Sequence, residues 1–559
     1  MISFKYSLLT VLLLSVSVSF SKGKPVKSEN GMVVSASSLA SYAGVNILEK
    51  GGNAIDAAVA TGFMLAVTYP SAGNIGGGGF MVIHLQNETE TTIDFREKAP
   101  SEAHRDMFLD NEGNYIEKLS REGYTSSGVP GSVAGLIYAL EKYGTMGLAE
   151  VLEPAIQIAK NGFRIGYEMA ESINYYHDKF LDYPSSAEIF TIDGEKLPDN
   201  YRLVQNELAE TLERILVNGL DGFYRGETAD LLVKHSEQLG GILTHQDLET
   251  YEVVEREPVK GTYKGYDVIS MGPPSSGGIC LIETLNALEH FSFSEKQWGS
   301  SSYIHVLVEI LKQVYADRNL HIGDSDFYNV PLQNLISKKR GEEIKNLVCL
   351  DSAYVFSDGA PTTYHESTET THYSVVDSKR NAVSVTTTIN SPFGNKIVVK
   401  GAGFLMNNEM DDFSSKPGSP NLYGLVGSEA NSIQPGKRML SSMTPTIVLK
   451  DKKPVLVLGS PGGSTIITSV LQVLINTLDF EMNIWEAIDA PRFHHQHLPD
   501  KIDYEKFGLS EDVRASLEAR GQIMGIEDDL GRVEAIFIDE NGIKWGATDP
   551  RGYGKAVGY

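Results

Sequence analysis

The chain has 559 residues and carries 48 Lys and Arg against 73 Asp and Glu, a formal charge of −25. So acidic a surface repels phosphates, which excludes a nucleic-acid partner and an anionic membrane surface at the outset. Hydrophobic residues at 41% and charged residues at 22% are ordinary globular usage, and the 54 glycines follow no collagen period, so a disordered or fibrous chain is excluded too.

Taken in chain order, the first feature is an apolar run, LLTVLLLSVSVSF, that follows Lys5. It has the length of a signal-peptide core and is too short to span a bilayer. Ser19 and Ser21 suit cleavage before Lys22, and no cysteine nearby offers a lipid anchor. Residues 1–21 therefore read as a signal peptide of an exported protein, periplasmic or extracellular, with no membrane attachment after its removal. Two cysteines, Cys280 and Cys349, can build neither a disulfide framework nor a structural zinc site. Their apolar neighbours, GGICLI and NLVCL, predict two buried thiols.

The spacing of apolar residues predicts one helix over 44–67, followed by the turn YPSAGNIGGGGF and the strand MVIHL. Glycines between helix and strand, in that order, reverse the dinucleotide-binding pattern, and the acidic ribose partner is missing. Residues 130–240 are mainly helical by pattern. GYDVISMGPPSSGGICLIETLNALEHF reads as strand, tight turn and helix. Residues 350–369, polar and broken by Pro and Gly, read as disordered. From Thr370 onward, strand patterns alternate with glycine-rich turns. The first two, TTHYSVVD and AVSVTTTI, flank the turn SKRN as a hairpin. Centring that turn between residues 379 and 380 pairs Thr371 with Thr388 and Thr370 with Ile389, to within one residue. RFHHQH, residues 492–497, clusters three histidines, but adjacent residues on regular elements point apart and no carboxylate partner is evident, so no metal is assigned.

The chemistry enters at the junction of loop and hairpin. A polar loop ending in Glu369, directly before a strand that opens with Thr370, is what an N-terminal-nucleophile hydrolase precursor needs. The Thr370 hydroxyl attacks the Glu369 carbonyl, the ester hydrolyses, and the nucleophile acquires an α-amine. With an unperturbed pKa of about 7.7–8.0, that amine can serve as the base for the same hydroxyl. No G-x-S-x-G elbow is present to support a serine hydrolase.

On GGNAIDAAVA, GNIGGGGF, DFREKAP, GYTSSGVPGSVAG, PPSSGG, TTHYSVVD, NNEMDDFS, PNLYGLVG, SSMTPTIV, GSPGGS and DPR, spread over nearly the whole length, the chain resembles the γ-glutamyltranspeptidases. The resemblance implies an α+β fold, the four-layer αββα sandwich of N-terminal-nucleophile hydrolases. It implies one structural unit cut into a large subunit, 22–369, and a small catalytic subunit, 370–559, which remain associated as a heterodimer. Cleavage falls between Glu369 and Thr370, and Thr370 is then the nucleophile. Thr388 would hold its hydroxyl, and the backbone N–H groups of Gly462 and Gly463 would form the oxyanion hole.

For the glutamyl head group, the resemblance assigns Arg96, Ser441 and Ser442 to the α-carboxylate, and Glu409, Asp412 and Asn390 to the α-ammonium. Residues 414–427 would be a lid, with Tyr423 closing over the substrate. The implied reaction takes the γ-glutamyl group of glutathione and passes it to water or to an amino acid or dipeptide, with no cofactor and no metal. A cephalosporin or glutaryl acylase of the same fold, or an inactive relative, is the alternative; an α-ammonium site favours the glutamyl substrate. Three positions depart from the family's pattern. Glu369 stands where many members have Gln, which leaves the backbone carbonyl available but bears on cleavage rate or pH dependence, and Pro392 and Lys396 are unusual beside Asn390. The formal charge divides as −21 on residues 1–369 and −4 on 370–559, so the acidity reads as solubility rather than substrate attraction.

Overall fold

The computed structural model describes residues 23–354 and 370–559; the signal-peptide run, most of the 350–369 loop and Glu369 lie outside the described residues. Two seven-stranded antiparallel sheets face each other. The first has the order Lys555–Gly558, Met32–Ser35, Thr371–Val376, Ala382–Thr388, Gly78–His84, Glu90–Asp94 and Val254–Arg256. The second runs Val26–Ser28, Lys544–Thr548, Glu534–Ile538, Lys453–Gly459, Thr446–Lys450, Tyr266–Ser270 and Val259–Tyr263.

Both faces of the central strands are buried, so their sequences are nearly continuously apolar, and the period of two decides only which layer each side chain meets. In Gly78–His84, Met81 and Ile83 join the helices Ser38–Glu49, Ala54–Thr68, Ser132–Tyr143 and Leu148–Asn161, while Phe80 and Val82 join the opposite core. That second core also takes in the helices Gly277–Leu288, Ser301–His321 and Thr465–Leu478, which completes the αββα sandwich. Between the sheets, Ser374 Oγ donates to the carbonyls of Val457 (3.3 Å) and Glu534 (3.0 Å), and Ser384 Oγ to that of Leu458 (3.0 Å). Among the described residues no helix is long and apolar enough to cross a membrane.

The structure corrects four local expectations and refines a fifth. The helix over 44–67 is two, Ser38–Glu49 and Ala54–Thr68. Gly51 turns the chain at φ +95°, and Asn53 starts the second helix with a capping box, accepting from the N–H groups of Ile55 and Asp56 while Asp56 accepts from its own N–H. The hairpin register falls within one residue of the expected one: Val376 pairs with Ala382 and Thr371 with Thr387. The cause is a loop centred on residue 379, in which the Asp377 carboxylate accepts from the N–H groups of Lys379 and Asn381 and Arg380 adopts φ +64°. Continuing that register sets Thr370 opposite Thr388.

Beyond Thr370 the chain is not all strand. TIITSVLQVLINTL forms the helix Thr465–Leu478, in which Thr465, Thr468, Ser469, Gln472 and Asn476 recur at helical spacing on one face that is itself buried. Cys280 is buried as expected, but Cys349 is exposed, past the end of helix Lys338–Leu347. The described end of the 350–369 loop is anchored: Ala353 N–H donates to Arg520 O (2.6 Å), Tyr354 N–H to Glu309 Oε2 (2.9 Å), and Lys312 Nζ to Tyr354 O (3.1 Å).

Candidate active site

Thr370 stands at the head of the strand Thr371–Val376, and its hydroxyl donates to Thr388 Oγ1 at 3.4 Å. Thr388 Oγ1 also accepts the N–H of Asn390 (2.8 Å), a residue held at φ +72°. That bond fixes the Thr388 rotamer, and through it the side on which Thr370 presents its oxygen. Both threonines are buried and open onto one cleft of about 670 Å³, mouth included.

Ten of the twelve residues named from sequence line this cleft: Arg96, Thr370, Thr388, Asn390, Glu409, Asp412, Tyr423, Ser441, Ser442 and Gly463. Glu369 is outside the described residues. Gly462 sits behind the lining, where a Cβ would come 2.5 Å from Thr465 Oγ1. The GSPGGS turn needs its glycines: Gly462 has φ +128° and Gly463 φ +54°, and a Cβ on Gly463 would come 2.5 Å from Tyr423 Cδ1. Among the described residues no backbone hydrogen bond is donated by either glycine N–H. The turn leads directly into helix Thr465–Leu478, whose N-terminus favours negative charge.

Arg96 follows the strand Glu90–Asp94, its N–H donating to Asp94 Oδ1 (3.0 Å) and its carbonyl accepting from Tyr251 OH (2.8 Å). Glu409 and Asp412 share one 3₁₀ turn, where residues three apart eclipse and so face the same way. They meet Arg96 as a fork: Nη1 to Glu409 Oε1 at 2.5 Å and Nη2 to Asp412 Oδ2 at 2.5 Å, with Glu97 at 3.7 Å. Sequence reasoning had divided these residues between the two ends of a zwitterion; here they pair with each other. Three acids around one buried guanidinium leave excess negative charge. Burial, opposed by Arg96, raises Glu97 to about 7 and Asp412 to about 6, and lifts Glu409 well above its ordinary value. The cluster thus offers one fixed cation beside carboxyls that would gain from an incoming ammonium.

The other wall is the segment Ser441–Ser442, docked on the PPSSGG turn: Ser276 N–H and Oγ both donate to Ser441 O at 2.8 Å. Ser442 Oγ accepts from Arg318 Nη2 (3.1 Å), and Arg318 Nε donates to Ser276 Oγ (3.0 Å). Arg318 is a cleft residue that sequence reasoning missed; it lies in the last turn of the helix Ser301–His321, with no local motif to mark it.

Residues 414–427 cover the cleft. Tyr423 OH donates to Asn390 Oδ1 at 2.5 Å, and Leu422 N–H to Asp411 Oδ2 at 2.9 Å. The third attachment comes from RFHHQH, the motif that had no role. Gln496 Nε2 donates to Tyr423 O (3.0 Å) and Leu498 O (3.2 Å), while its Oε1 lies 3.0 Å from His494 Nε2. His494 Nδ1 in turn meets Thr468 Oγ1 at 2.8 Å, so the helix behind the glycine turn and the covering loop are tied together. Burial lowers His494 to about 4, which keeps the ring neutral. Lys396 caps the carbonyl of Gly394 (2.7 Å) and Ser391 Oγ (2.9 Å) over the Tyr176 ring, outside the cleft lining. Nothing in the structure accounts for Pro392.

The model of the Gamma-glutamyltranspeptidase family matches residues 40–559. The glutathione hydrolase proenzyme of Escherichia coli (strain K12) is 48% identical over 530 residues, 94% of this chain and 91% of that protein. Among solved structures, a cephalosporin acylase from Bacillus halodurans superposes with a TM-score of 0.87 at 27% identity, covering 98% of this chain and 99% of its own. One chain of Helicobacter pylori gamma-glutamyltranspeptidase, 45% identical, superposes with a TM-score of 0.57 and covers 60% of this chain and 93% of its own.

Proposed function

The chain belongs to the γ-glutamyltranspeptidase family, and we propose that it is a self-processing enzyme that transfers the γ-glutamyl group of glutathione and related amides to water or to an amine. One precursor is exported under the direction of residues 1–21 to the periplasm or the medium. It cuts itself between Glu369 and Thr370, and residues 22–369 and 370–559 stay together as a heterodimer. That a single solved chain of a related transpeptidase answers to 60% of this one supports the two-piece reading.

In the processed enzyme the α-amine of Thr370 takes the proton of its own hydroxyl, and Oγ attacks the γ-carbonyl. The N–H groups of Gly462 and Gly463 carry the charge that develops on the carbonyl oxygen, the kind of donor whose loss costs roughly 10²–10³ in rate. The amine leaves with a proton, and the γ-glutamyl ester on Thr370 is taken by water or by an acceptor amine. Arg96 holds the donor's α-carboxylate with help from the Ser441 and Ser442 hydroxyls. Glu409 and Asp412 release part of their hold on Arg96 and receive the α-ammonium, with Asn390 beside them.

The observation that carries this reading is the Thr370–Thr388 hydroxyl pair opening directly onto the Arg96–Glu409–Asp412 cluster. A glutaryl donor has a carboxylate but no ammonium, so it would leave those acids uncompensated; the higher identity to a glutathione hydrolase proenzyme than to a cephalosporin acylase supports the same choice. The test is denaturing electrophoresis with N-terminal sequencing of wild type and Thr370→Ala. Wild type yields a fragment beginning TTHYSVVD and the variant stays whole; a wild-type chain that remains intact on prolonged incubation overturns the mechanism.

A further inference from the structure

Thr370 borders two spaces. Its hydroxyl is held by Thr388 on the side of the cleft with Arg96. It also lines a smaller hollow with Thr371, His372, Pro461 and Glu534, and it is the one residue common to both linings. Three successive residues border this hollow, so it follows the main chain where the strand begins, which is where a Thr370 α-amine would stand. About 280 Å³ with its mouth included, it has room for about one water and none for a substrate.

Two orphaned oxygens make that water part of the structure. Glu534 is 3% exposed; its Oε1 accepts from Thr548 Oγ1 (3.0 Å), while its Oε2 has no hydrogen-bond partner among the described residues. Thr371 Oγ1, 1% exposed, is likewise without a partner. Leaving buried polar groups unsatisfied is costly, and a single water that reaches both completes them. Burial raises the Glu534 pKa well above its ordinary value, with Asp549 adding to the rise and Thr548 and Arg532 opposing it, so the carboxyl is neutral and has a proton to donate. His372, on the same wall, has nothing left to offer: its two ring nitrogens meet Thr386 Oγ1 (2.9 Å) and Ser374 Oγ (3.0 Å), and burial lowers it to about 3.

We propose that Glu534 and Thr371 hold one water against the Thr370 nitrogen, and that this water orients the α-amine once self-cleavage has made it. The inference rests on the γ-glutamyl-transfer reading above. The water accepts the Glu534 O–H and one N–H of the amine, and it donates to Thr371 Oγ1. With that N–H tethered, the amine's lone pair is left for the proton of its own hydroxyl, which Thr388 fixes on the cleft side. The neutral state of Glu534 is part of the device. A carboxylate there would favour the ammonium form, which cannot take a proton. Glu534 and Thr371 are positioning residues, since neither lines the cleft that takes the substrate.

The test has two arms. A high-resolution crystal structure of the processed wild type should show one water within hydrogen-bond distance of Glu534 Oε2, Thr371 Oγ1 and the Thr370 nitrogen. A dry hollow, or a water that does not reach the nitrogen, overturns the inference with no variant needed. Steady-state rates on γ-glutamyl-p-nitroanilide, referred to processed enzyme, form the second arm. Glu534→Met and Thr371→Val should each lower kcat roughly 3–10-fold, the scale of one hydrogen bond, and leave the donor KM as it is. Glu534→Gln restores kcat, because its amide can accept from Thr548 and donate to the water. A purely structural role would move Tm and leave kcat alone, so a Glu534→Met enzyme with wild-type kcat overturns the inference, as does a Gln variant as slow as the Met one. A wild type that leaves the donor uncleaved overturns the functional reading and the inference together.

Discussion

Replacing Arg96 by Met should unsettle the fold before it unsettles the chemistry. Arg96 is 1% exposed and holds two carboxylates at 2.5 Å and a third at 3.7 Å. Removing one partner of a buried ion cluster of this kind costs about 3–5 kcal/mol. With an unfolding entropy of about 2.1 cal/mol/K per residue, a chain of this size loses roughly 3–4 °C of Tm. The loss depends on pH in a defined direction. The folded pKa values of Glu97, Glu409 and Asp412 are raised above their unfolded values, so protonation favours the folded state. Without Arg96 they rise further. The deficit therefore shrinks as pH falls through the folded values of about 7 for Glu97 and about 6 for Asp412, and is larger at pH 8 than at pH 5. Differential scanning fluorimetry of wild type and Arg96→Met at pH 5 and pH 8 measures it. Adding Glu409→Gln removes one stranded acid and should recover part of the Tm at pH 8, while γ-glutamyl turnover stays lost because no cation is restored. A variant as stable as wild type at pH 8, or a deficit equal at both pH values, would refute the picture of one guanidinium neutralising three acids.

Gly463→Ala should be processed slowly and turn over roughly 10²–10³ times less well, because φ +54° and the Tyr423 ring leave no place for a Cβ beside an oxyanion donor; initial rates on γ-glutamyl-p-nitroanilide decide, and wild-type kcat counts against it. In Gln496→Glu the donor to Tyr423 O becomes a carboxylate facing a carbonyl, so the loop loosens: donor KM should rise roughly 3–10-fold and the transfer-to-hydrolysis ratio should fall as water reaches the acyl-enzyme. Because ionised Asp412 is needed to receive the donor's ammonium, kcat/KM should fall as pH drops through about 6. Asp412→Asn should flatten that limb of the profile.

The part of the site legible in the sequence was the part carried by short, unusual strings. GSPGGS announces positive φ angles, NNEMDD puts two acids three residues apart, and a TT at the start of a strand after a polar loop announces a nucleophile. The register of the hairpin was legible to one residue only, because the Asp377 side chain sets the turn and its effect is not in the hydrophobic pattern. Arg318 and Gln496 were not legible as site residues. Each acts through a contact formed between distant segments, Arg318 with Ser442 and Gln496 with Tyr423. The same holds for the mutual pairing of Arg96 with Glu409 and Asp412, which the family resemblance set facing a ligand. Helix 465–478 is masked for another reason: its many Thr, Ile and Val residues favour strand, although its polar residues recur at helical spacing.

In the first sheet the strand that begins at Thr371 is flanked by Met32–Ser35 and Ala382–Thr388, the latter by Gly78–His84, and the chain's last strand, Lys555–Gly558, lies on the outer side of Met32–Ser35. Strands from before and after residue 370 are interleaved, so neither side of a cut there would hold a complete sheet or a closed core. Folding such a molecule is a one-molecule event before the cut and a two-molecule event after it. The intact precursor can search for its partners along one chain at any dilution, whereas the processed pair, once unfolded, must find each other in solution. Under the proposed self-cleavage, a reversible fold would become one whose lifetime is set by its unfolding barrier, and the strand order would require assembly first and scission second.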